Sequence, residues 1–245
     1  MTDQTAPTDP AEVTAHLDAR LDDDARAWFA ESRDRIGDDP AAVRVLFPAV
    51  SRRVGRGPLA PGGDGDDPFV WHRDDAGRAL LLAAVDPGAR PGELRDCYTH
   101  GDARERRGVL RSLEVVEVDD EVTAELVDDA LRTNDVRLVA AALGPAGVAV
   151  LDDDGFAQAV LKAVFVDLDL ERIAGIPDRV TPELSRMMAD FVHERVAAGR
   201  AVPASVWTVI DRHPPADRLA AIEAERDHED PHRAAAAAAA LDARP

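Results

Sequence analysis

The segment from Val122 to Phe191 consists of short stretches in which apolar residues recur every three or four positions. This spacing places the apolar side chains on one face of an α-helix. The stretches form helical pairs that start near residues 123, 154 and 182. A period of about 30 residues is typical of stacked helical hairpins. The sequence therefore predicts an all-α fold, either a HEAT-like α-solenoid or an irregular helical bundle.

The composition favours helices, and the net charge disfavours nucleic acids and anionic membranes as partners. Hydrophobic residues make up 45% of the chain but aromatic residues only 4%, so alanine and leucine must fill much of the interior. The 48 acidic and 29 basic residues give a net charge of -19. Such a surface repels nucleic-acid phosphates and anionic membranes. We expect a cytoplasmic protein that is not integral to a membrane, because no long apolar stretch and no signal-peptide pattern occurs.

The chain divides into four predicted segments. They are the N-terminal helices 1–54, a glycine- and proline-rich loop 55–72, a helical core 73–213, and a charged, alanine-rich tail 214–245. In the first segment, Asp9 and Pro10 predict the start of one long amphipathic helix that ends near Gly37. In the tail, the seven alanines 234–240 offer little apolar area to bury, which predicts a frayed or detached helix.

Aspartates occur in clusters that could in principle bind Mg²⁺. No DDxxD motif places two carboxylates on one helix face, however. Most clusters stand where a helix is predicted to start, and acids are favourable there. The sequence therefore predicts solvated helix caps and no metal site. The clusters are Asp22–Asp24, Asp66–Asp67, Asp74–Asp75, Asp119–Asp120, Asp128–Asp129 and Asp152–Asp154.

Other catalytic and cofactor motifs are missing from the sequence. His193 lies in the segment DFVHE, but Ala197 stands where a zinc protease would need its second histidine. His193 is therefore predicted to be a helix-surface residue. Cys97 is the only cysteine, which excludes an intramolecular disulfide and a cysteine-based metal site. The nucleophile motif GxSxG, the phosphate-binding loop GxxxxGK[ST] and a strand-bound GxGxxG do not occur, so no cofactor is predicted.

One polar group stands out on the helix predicted over residues 155–166. This helix is apolar almost all round, which predicts a central position with Leu161 and Phe165 buried. Asp154, Gln158 and Lys162 follow one another at a spacing of four residues and form a polar stripe on it. Lys162 is the only lysine in the chain, and a buried lysine needs a partner. It is either half of a structural ion pair or an ammonium that faces a ligand in a cleft.

Three blocks of the sequence carry a family resemblance. They are ALRTNDVRLVAAALGP at 130–145, QAVLKAVFVDLDLERIAGI at 158–176 and ELSRMMADFVHERVAAGRAVP at 183–203. The specific parts are the Thr133-Asn134 pair, the VLKAVFV core and the helix end AAGR-x-VP. These blocks resemble those of the EboA family of bacterial metabolite-traffic proteins. The resemblance covers residues 122–211.

This resemblance implies a role in handling or transporting a secondary metabolite or its precursor. It also implies partners from a biosynthetic cluster: a prenyltransferase-like protein, a TatD-like hydrolase and a sugar-phosphate-isomerase-like protein. It brings no catalytic residues. We therefore predict a non-catalytic accessory protein that can bind a small metabolite. The alternative is an enzyme of unrecognised type in the same pathway that uses a cleft around Lys162.

The candidate ligand-binding residues come from the resembling blocks and from the polar stripe on the helix 155–166. Thr133, Asn134 and Lys162 lie in the resembling blocks, while Gln158 shares the polar stripe with Lys162. His193 is a further candidate, because an acid and His193 near Lys162 would favour the enzyme. The Thr133-Asn134 pair has a second interpretation. Asn is a common residue at helix ends, where it tolerates the left-handed conformation.

Overall fold

The computed structural model describes residues 9–245, and α-helices account for most of that range. Residues 1–8, part of the predicted N-terminal segment, lie outside the described residues. Over residues 9–245 no β-strand is found, apart from one isolated bridge between Pro58 and His72. The predicted all-α fold is confirmed. Within the same range, no helix combines the length and the apolar character that crossing a bilayer requires.

The chain forms two compact units, Met1–Val150 and Leu151–Pro245. Their boundary falls inside the segment 73–213, which the sequence predicts to be one helical core. The helices of the first unit are α1 Pro10–Asp18, α2 Asp23–Asp38, α3 Val43–Leu46, α4 Val50–Val54, α5 Arg73–Ala83, α6 Arg90–His100, α7 Ala103–Ser112, α8 Asp120–Arg132, α9 Val136–Ala142 and α10 Pro145–Ala149. Those of the second are α11 Asp153–Phe165, α12 Ile176–Arg179, α13 Pro182–Ala197, α14 Trp207–Ile210, α15 Ala216–Ala224 and α16 Pro231–Asp242.

Alternate helices of the first unit pack in two layers. Helices α5, α7 and α9 contact one another in order, and α6, α8 and α10 form a second series beside them. Consecutive helices also contact each other in the pairs α5 with α6, α6 with α7 and α8 with α9. This arrangement is a short stack of helical hairpins. Its core consists of fully buried apolar side chains, among them Leu81, Leu94, Leu110, Val127 and Val139.

The N-terminal region differs from its prediction. The single helix expected between Asp9 and Gly37 is two helices, α1 and α2. The Asp22 side chain accepts a hydrogen bond from the backbone N–H of Ala25 at 2.8 Å and so caps α2. An aspartate cap of this kind satisfies one of the free N–H groups at a helix start. The apolar spacing continues across the break, and therefore the spacing alone did not reveal it.

The second unit is organised around α13, which contacts α11, α14, α15 and α16. The expectation of a frayed or detached C-terminal helix is wrong. In α16, Ala237 and Ala240 are buried, and Trp207 Nε1 donates a hydrogen bond to the Ala240 carbonyl at 2.9 Å. The small alanine side chains allow this close approach of the α16 backbone to α14. Close packing thus compensates for the small apolar area of each alanine.

Helix α11 buries only one stripe of its surface. Its buried residues are Phe156, Ala159, Val160, Ala163 and Val164. The prediction that Leu161 and Phe165 are buried is wrong, because Leu161 is half-buried and Phe165 is 67% exposed. These two residues are four apart and share one side of the helix, next to the buried stripe. Helix α11 carries apolar residues on almost every side, but only one side is buried.

Candidate ligand-binding site

A cavity of about 260 Å³ opens in the first unit between the 3-10 turn that follows α3, helix α6 and the start of α7. Phe47, Pro48 and Cys97 give it an apolar side. Arg44, Asp96, His100 and Glu105 give it a polar side. Apolar walls with a few fixed polar groups are typical of small-molecule sites.

The turn from α6 into α7 shapes one end of the cavity. Gly101 lies in this turn, and a Cβ atom there would lie 2.5 Å from the Cys97 carbonyl oxygen and 2.8 Å from the Glu105 Cβ. Only glycine therefore allows the two helices to approach this closely. The Asp102 and Glu105 side chains then form a reciprocal capping box at the start of α7. The Glu105 carboxylate is thereby held at the edge of the cavity.

Arg44 forms the charged wall of the cavity together with two carboxylates. Its Nε and Nη2 donate to the Glu93 carboxylate at 2.7 and 2.8 Å. Its Nη1 lies 2.7 Å from Asp96 Oδ2. This bidentate geometry fixes the guanidinium in place. Asp96 and Glu105 both line the cavity with Arg44, so the polar side of the cavity carries a net negative charge.

Phe47 forms the apolar floor, and a buried charged network supports it from behind. The Arg78 guanidinium carbon lies 5.4 Å from the centroid of the Phe47 ring. Arg78 Nη1 donates to Asp74 at 3.0 Å. The same Asp74 oxygen accepts from Ser51 Oγ at 2.8 Å and from Arg104 Nη1 at 3.1 Å. The floor of the cavity is therefore tied to α4, α5 and α7 at once.

The burial of Asp74 and Asp75 corrects a prediction. Both residues were expected to be solvated helix caps, yet both are fully buried. Asp75 does keep a capping contact, since its Oδ2 accepts from the His72 N–H at 2.9 Å, but its Oδ1 accepts from Arg107 Nε at 2.9 Å. Burial alone would raise the pKa of the Asp74 carboxyl, but the hydrogen bond from Ser51 and the charges of Arg78 and Arg104 hold this pKa below its usual value.

The Cys97 thiol is suited to packing rather than to nucleophilic chemistry. Burial, with smaller contributions from the charges of Glu93 and Asp96, raises the pKa of this thiol to about 12. The thiol is thus neutral at physiological pH, while a cysteine nucleophile needs its thiolate form. Within residues 9–245, no three side chains of His, Cys, Asp or Glu are grouped so that they could hold a metal ion.

Three predicted site residues lie in the second unit. Gln158 is exposed on α11, and Lys162 is half-buried one turn later. The Lys162 ammonium lies 5.8 Å from the centroid of the exposed Phe165 ring. His193 lies on α13, where its Nε2 is 3.3 Å from a carboxylate oxygen of Glu225. The pairing of Lys162 with an acid stays a prediction.

Thr133 and Asn134 lie in the first unit, where the chain leaves α8. The Thr133 hydroxyl donates to the Ala130 carbonyl at 2.8 Å, and its backbone is extended. Asp167 is the non-glycine residue with a positive φ in the described part of the chain, so Asn134 is not left-handed. The interpretation of Asn134 as a left-handed helix end is therefore wrong. Neither residue lines the cavity beside Cys97.

Sequence reasoning missed this cavity. Arg44 and Glu93 are separated by 49 positions in the chain, so no local motif links them. As the only cysteine in the sequence, Cys97 excludes a disulfide but gives no indication of a cavity beside it. A weak signal did exist in the tripeptide His100-Gly101-Asp102, where a glycine between a helix end and a capping aspartate indicates a tight turn.

The sequence matches a known protein family over most of its length. A family model described as "Metabolite traffic protein EboA" matches residues 11–211. The chain belongs to the EboA family. The EboA match includes α3, α6 and α7 and therefore the whole cavity beside Cys97, and it begins well before the resembling region at 122–211. No match was found among curated proteins or among solved structures.

Proposed function

We propose that this EboA-family protein is a non-catalytic accessory protein that binds a secondary metabolite or its precursor in the cavity beside Cys97. The family description supports a role connected with metabolites. The observation that carries the proposal is the cavity itself. Its volume of about 260 Å³ is slightly below the range of about 300–1,000 Å³ typical of pockets for drug-sized ligands. The ligand we expect is correspondingly small.

The chemistry of the cavity favours holding a molecule over converting it. The Nε, Nη1 and Nη2 atoms of Arg44 each pair with Glu93 or Asp96, so the guanidinium acts as a fixed part of the wall. The neutral Cys97 thiol supplies no nucleophile. The Phe47 ring and Pro48 offer apolar contact to the same ligand. An apolar surface opposite a rigid charged wall orients an amphipathic molecule.

A matched pair of substitutions at Cys97 tests the cavity. The purified protein is incubated with a small-molecule extract of its host, and bound molecules are identified by native mass spectrometry. Cys97→Met extends a side chain into the cavity and should abolish retention, while Cys97→Ala enlarges the cavity and should keep it. Overpacking costs about 1–3 kcal/mol, so thermal melting must show that both variants stay folded. Retention by a folded Cys97→Met variant equal to that of the wild type would contradict the proposal.

The single thiol provides a second readout of occupancy. Cys97 is the only cysteine in the chain, so alkylation reports on this position alone. A molecule in the cavity should slow alkylation of Cys97 at alkaline pH. Lys162→Met should leave this protection unchanged if the cavity is the binding site. Retention of a molecule that leaves Cys97 of the wild type unprotected, and that is lost in Lys162→Met, would instead favour the ligand-binding role predicted for Lys162 and Gln158.

We further propose that the protein works in the cytoplasm with the enzymes of a biosynthetic cluster. The resemblance to EboA proteins suggests the prenyltransferase-like, TatD-like and sugar-phosphate-isomerase-like partners. A buried free thiol is compatible with a reducing compartment. The tagged protein should co-purify with these enzymes from the cytoplasmic fraction of its host. Recovery of the protein without any of them, under conditions that preserve other complexes, would count against this part of the proposal.

A further inference from the structure

A second cavity in the first unit lies against the glycine- and proline-rich loop. Its volume is about 280 Å³, and it is lined by Arg20, Arg73 and small residues between positions 57 and 63. Arg20 lies in the turn after α1, and Arg73 is the first residue of α5. No acidic side chain lines this cavity. Two guanidinium groups thus share one concave surface without a carboxylate beside them.

The two arginines of this cavity lie apart from the many acids of the chain. The protein has 48 acidic residues against 29 basic ones. Some arginines of the first unit, such as Arg44, Arg78 and Arg107, are paired with carboxylates. Within residues 9–245, no carboxylate lies within salt-bridge distance of Arg20 or Arg73. The cavity therefore concentrates positive charge on an otherwise acidic protein.

The loop is built around the Arg73 side chain. A Cβ atom at Gly55 or at Gly57 would lie 3.0 Å from Arg73 Nη2, so glycine at both positions lets the guanidinium lie against the backbone. Gly55 also has φ of +82°, a conformation that side-chain-bearing residues rarely adopt. The Arg73 N–H donates to the Gly57 carbonyl at 2.9 Å and closes the loop onto α5. The Arg73 guanidinium thus lies against the backbone of this loop.

We propose that this cavity binds the carboxylate or phosphate group of a small organic anion. A guanidinium offers a planar fork of donors that matches both groups. Two such forks without internal partners gain charge-assisted hydrogen bonds when an anion enters, and their mutual repulsion is relieved. This site is separate from the cavity beside Cys97, and its occupancy is independent of the function proposed there.

The test is an NMR titration of the ¹⁵N-labelled protein with inorganic phosphate and, separately, with succinate. Saturable shifts are expected at the amides of Gly57, Gly62 and Gly63, with weaker binding at high ionic strength. Tighter binding of phosphate would indicate phosphorylated ligands, and tighter binding of succinate would indicate carboxylated ones. Arg73→Gln and Arg20→Gln should each weaken binding on the order of tenfold or more, because each removes charge-assisted hydrogen bonds.

Two further variants control for charge and for folding. Arg35→Gln makes the same charge change at an exposed position of α2 and should bind like the wild type. Gly57→Ala keeps both charges but pushes the Arg73 guanidinium aside by a few tenths of an ångström, so it should weaken binding less than either arginine substitution does. If Arg73→Gln unfolds, the affinities of Arg20→Gln and Gly57→Ala still show whether the anion binds in this cavity. Absence of shifts with both anions, or unchanged affinity in folded Arg20→Gln and Gly57→Ala variants, would overturn the proposal.

Discussion

Replacing Asp74 by Asn should destabilise the first unit strongly. The Asp74 carboxylate is fully buried and accepts hydrogen bonds from Ser51, Arg78 and Arg104. The neutral amide would leave Arg78, which is 1% exposed, without a counter-charge. Removing one partner of a buried ion pair costs about 3–5 kcal/mol. Because the Arg104 side chain is 27% exposed and can recover some hydration, we expect the lower end, about 3 kcal/mol.

Hydrogen exchange on α5 and α7 measures this loss without assuming that the two units unfold together. A loss of about 3 kcal/mol corresponds to exchange that is faster on the order of a hundredfold. The matched control is Asp128→Asn, which breaks an exposed pair with Arg132 and should cost about 0–1 kcal/mol. If Asp74→Asn accelerated exchange no more than Asp128→Asn, the buried network would not support the fold as described.

Three further predictions concern other parts of the fold. Phe165→Ala should cost less than about 1 kcal/mol in urea unfolding, because the ring is 67% exposed, and a loss near 3 kcal/mol would show that it is enclosed. Burial, together with the charge of Arg107, lowers the pKa of His72 below its ordinary 6.5, so stability should fall as the pH drops through 6.5 towards the folded-state pKa. His72→Gln should remove that slope in thermal melts, and an unchanged slope would assign it to other groups. Ala237→Asp places a charge on the buried face of α16 and should expose this helix to proteolysis, whereas unchanged resistance would mean that α16 is not docked.

Local sequence signals predicted much of the helical architecture. The capping aspartate at 102 and the proline at the first helix position in Thr181-Pro182 mark the starts of α7 and α13. The helical pairs predicted between 123 and 210 correspond to α8 with α9, α11 with the turn after it, and α13 with α14. These features depend on contacts within one or two helical turns, and so a single sequence contains the information needed to predict them.

The features that the sequence did not reveal depend on distant contacts. The burial of Asp74 requires Arg104, which is 30 positions away on α7. The charged wall of the cavity joins Arg44 to Glu93 across 49 positions. An aspartate at a helix start is predicted to be a solvated cap from its neighbours in the sequence. The same neighbours are present whether or not a later helix buries it. The exposure of Phe165 has a similar origin, since the packing of α11 selects which apolar stripe is buried.

We propose that the protein holds a metabolite and does not convert it. The most direct measurement incubates the purified protein with host extract and follows both retained and newly formed molecules by mass spectrometry. We expect one small molecule that is retained unchanged, that slows alkylation of Cys97 and that is lost in a folded Cys97→Met variant. Formation of a product by the wild type, abolished by Lys162→Met with the fold intact, would contradict it and establish the enzyme instead.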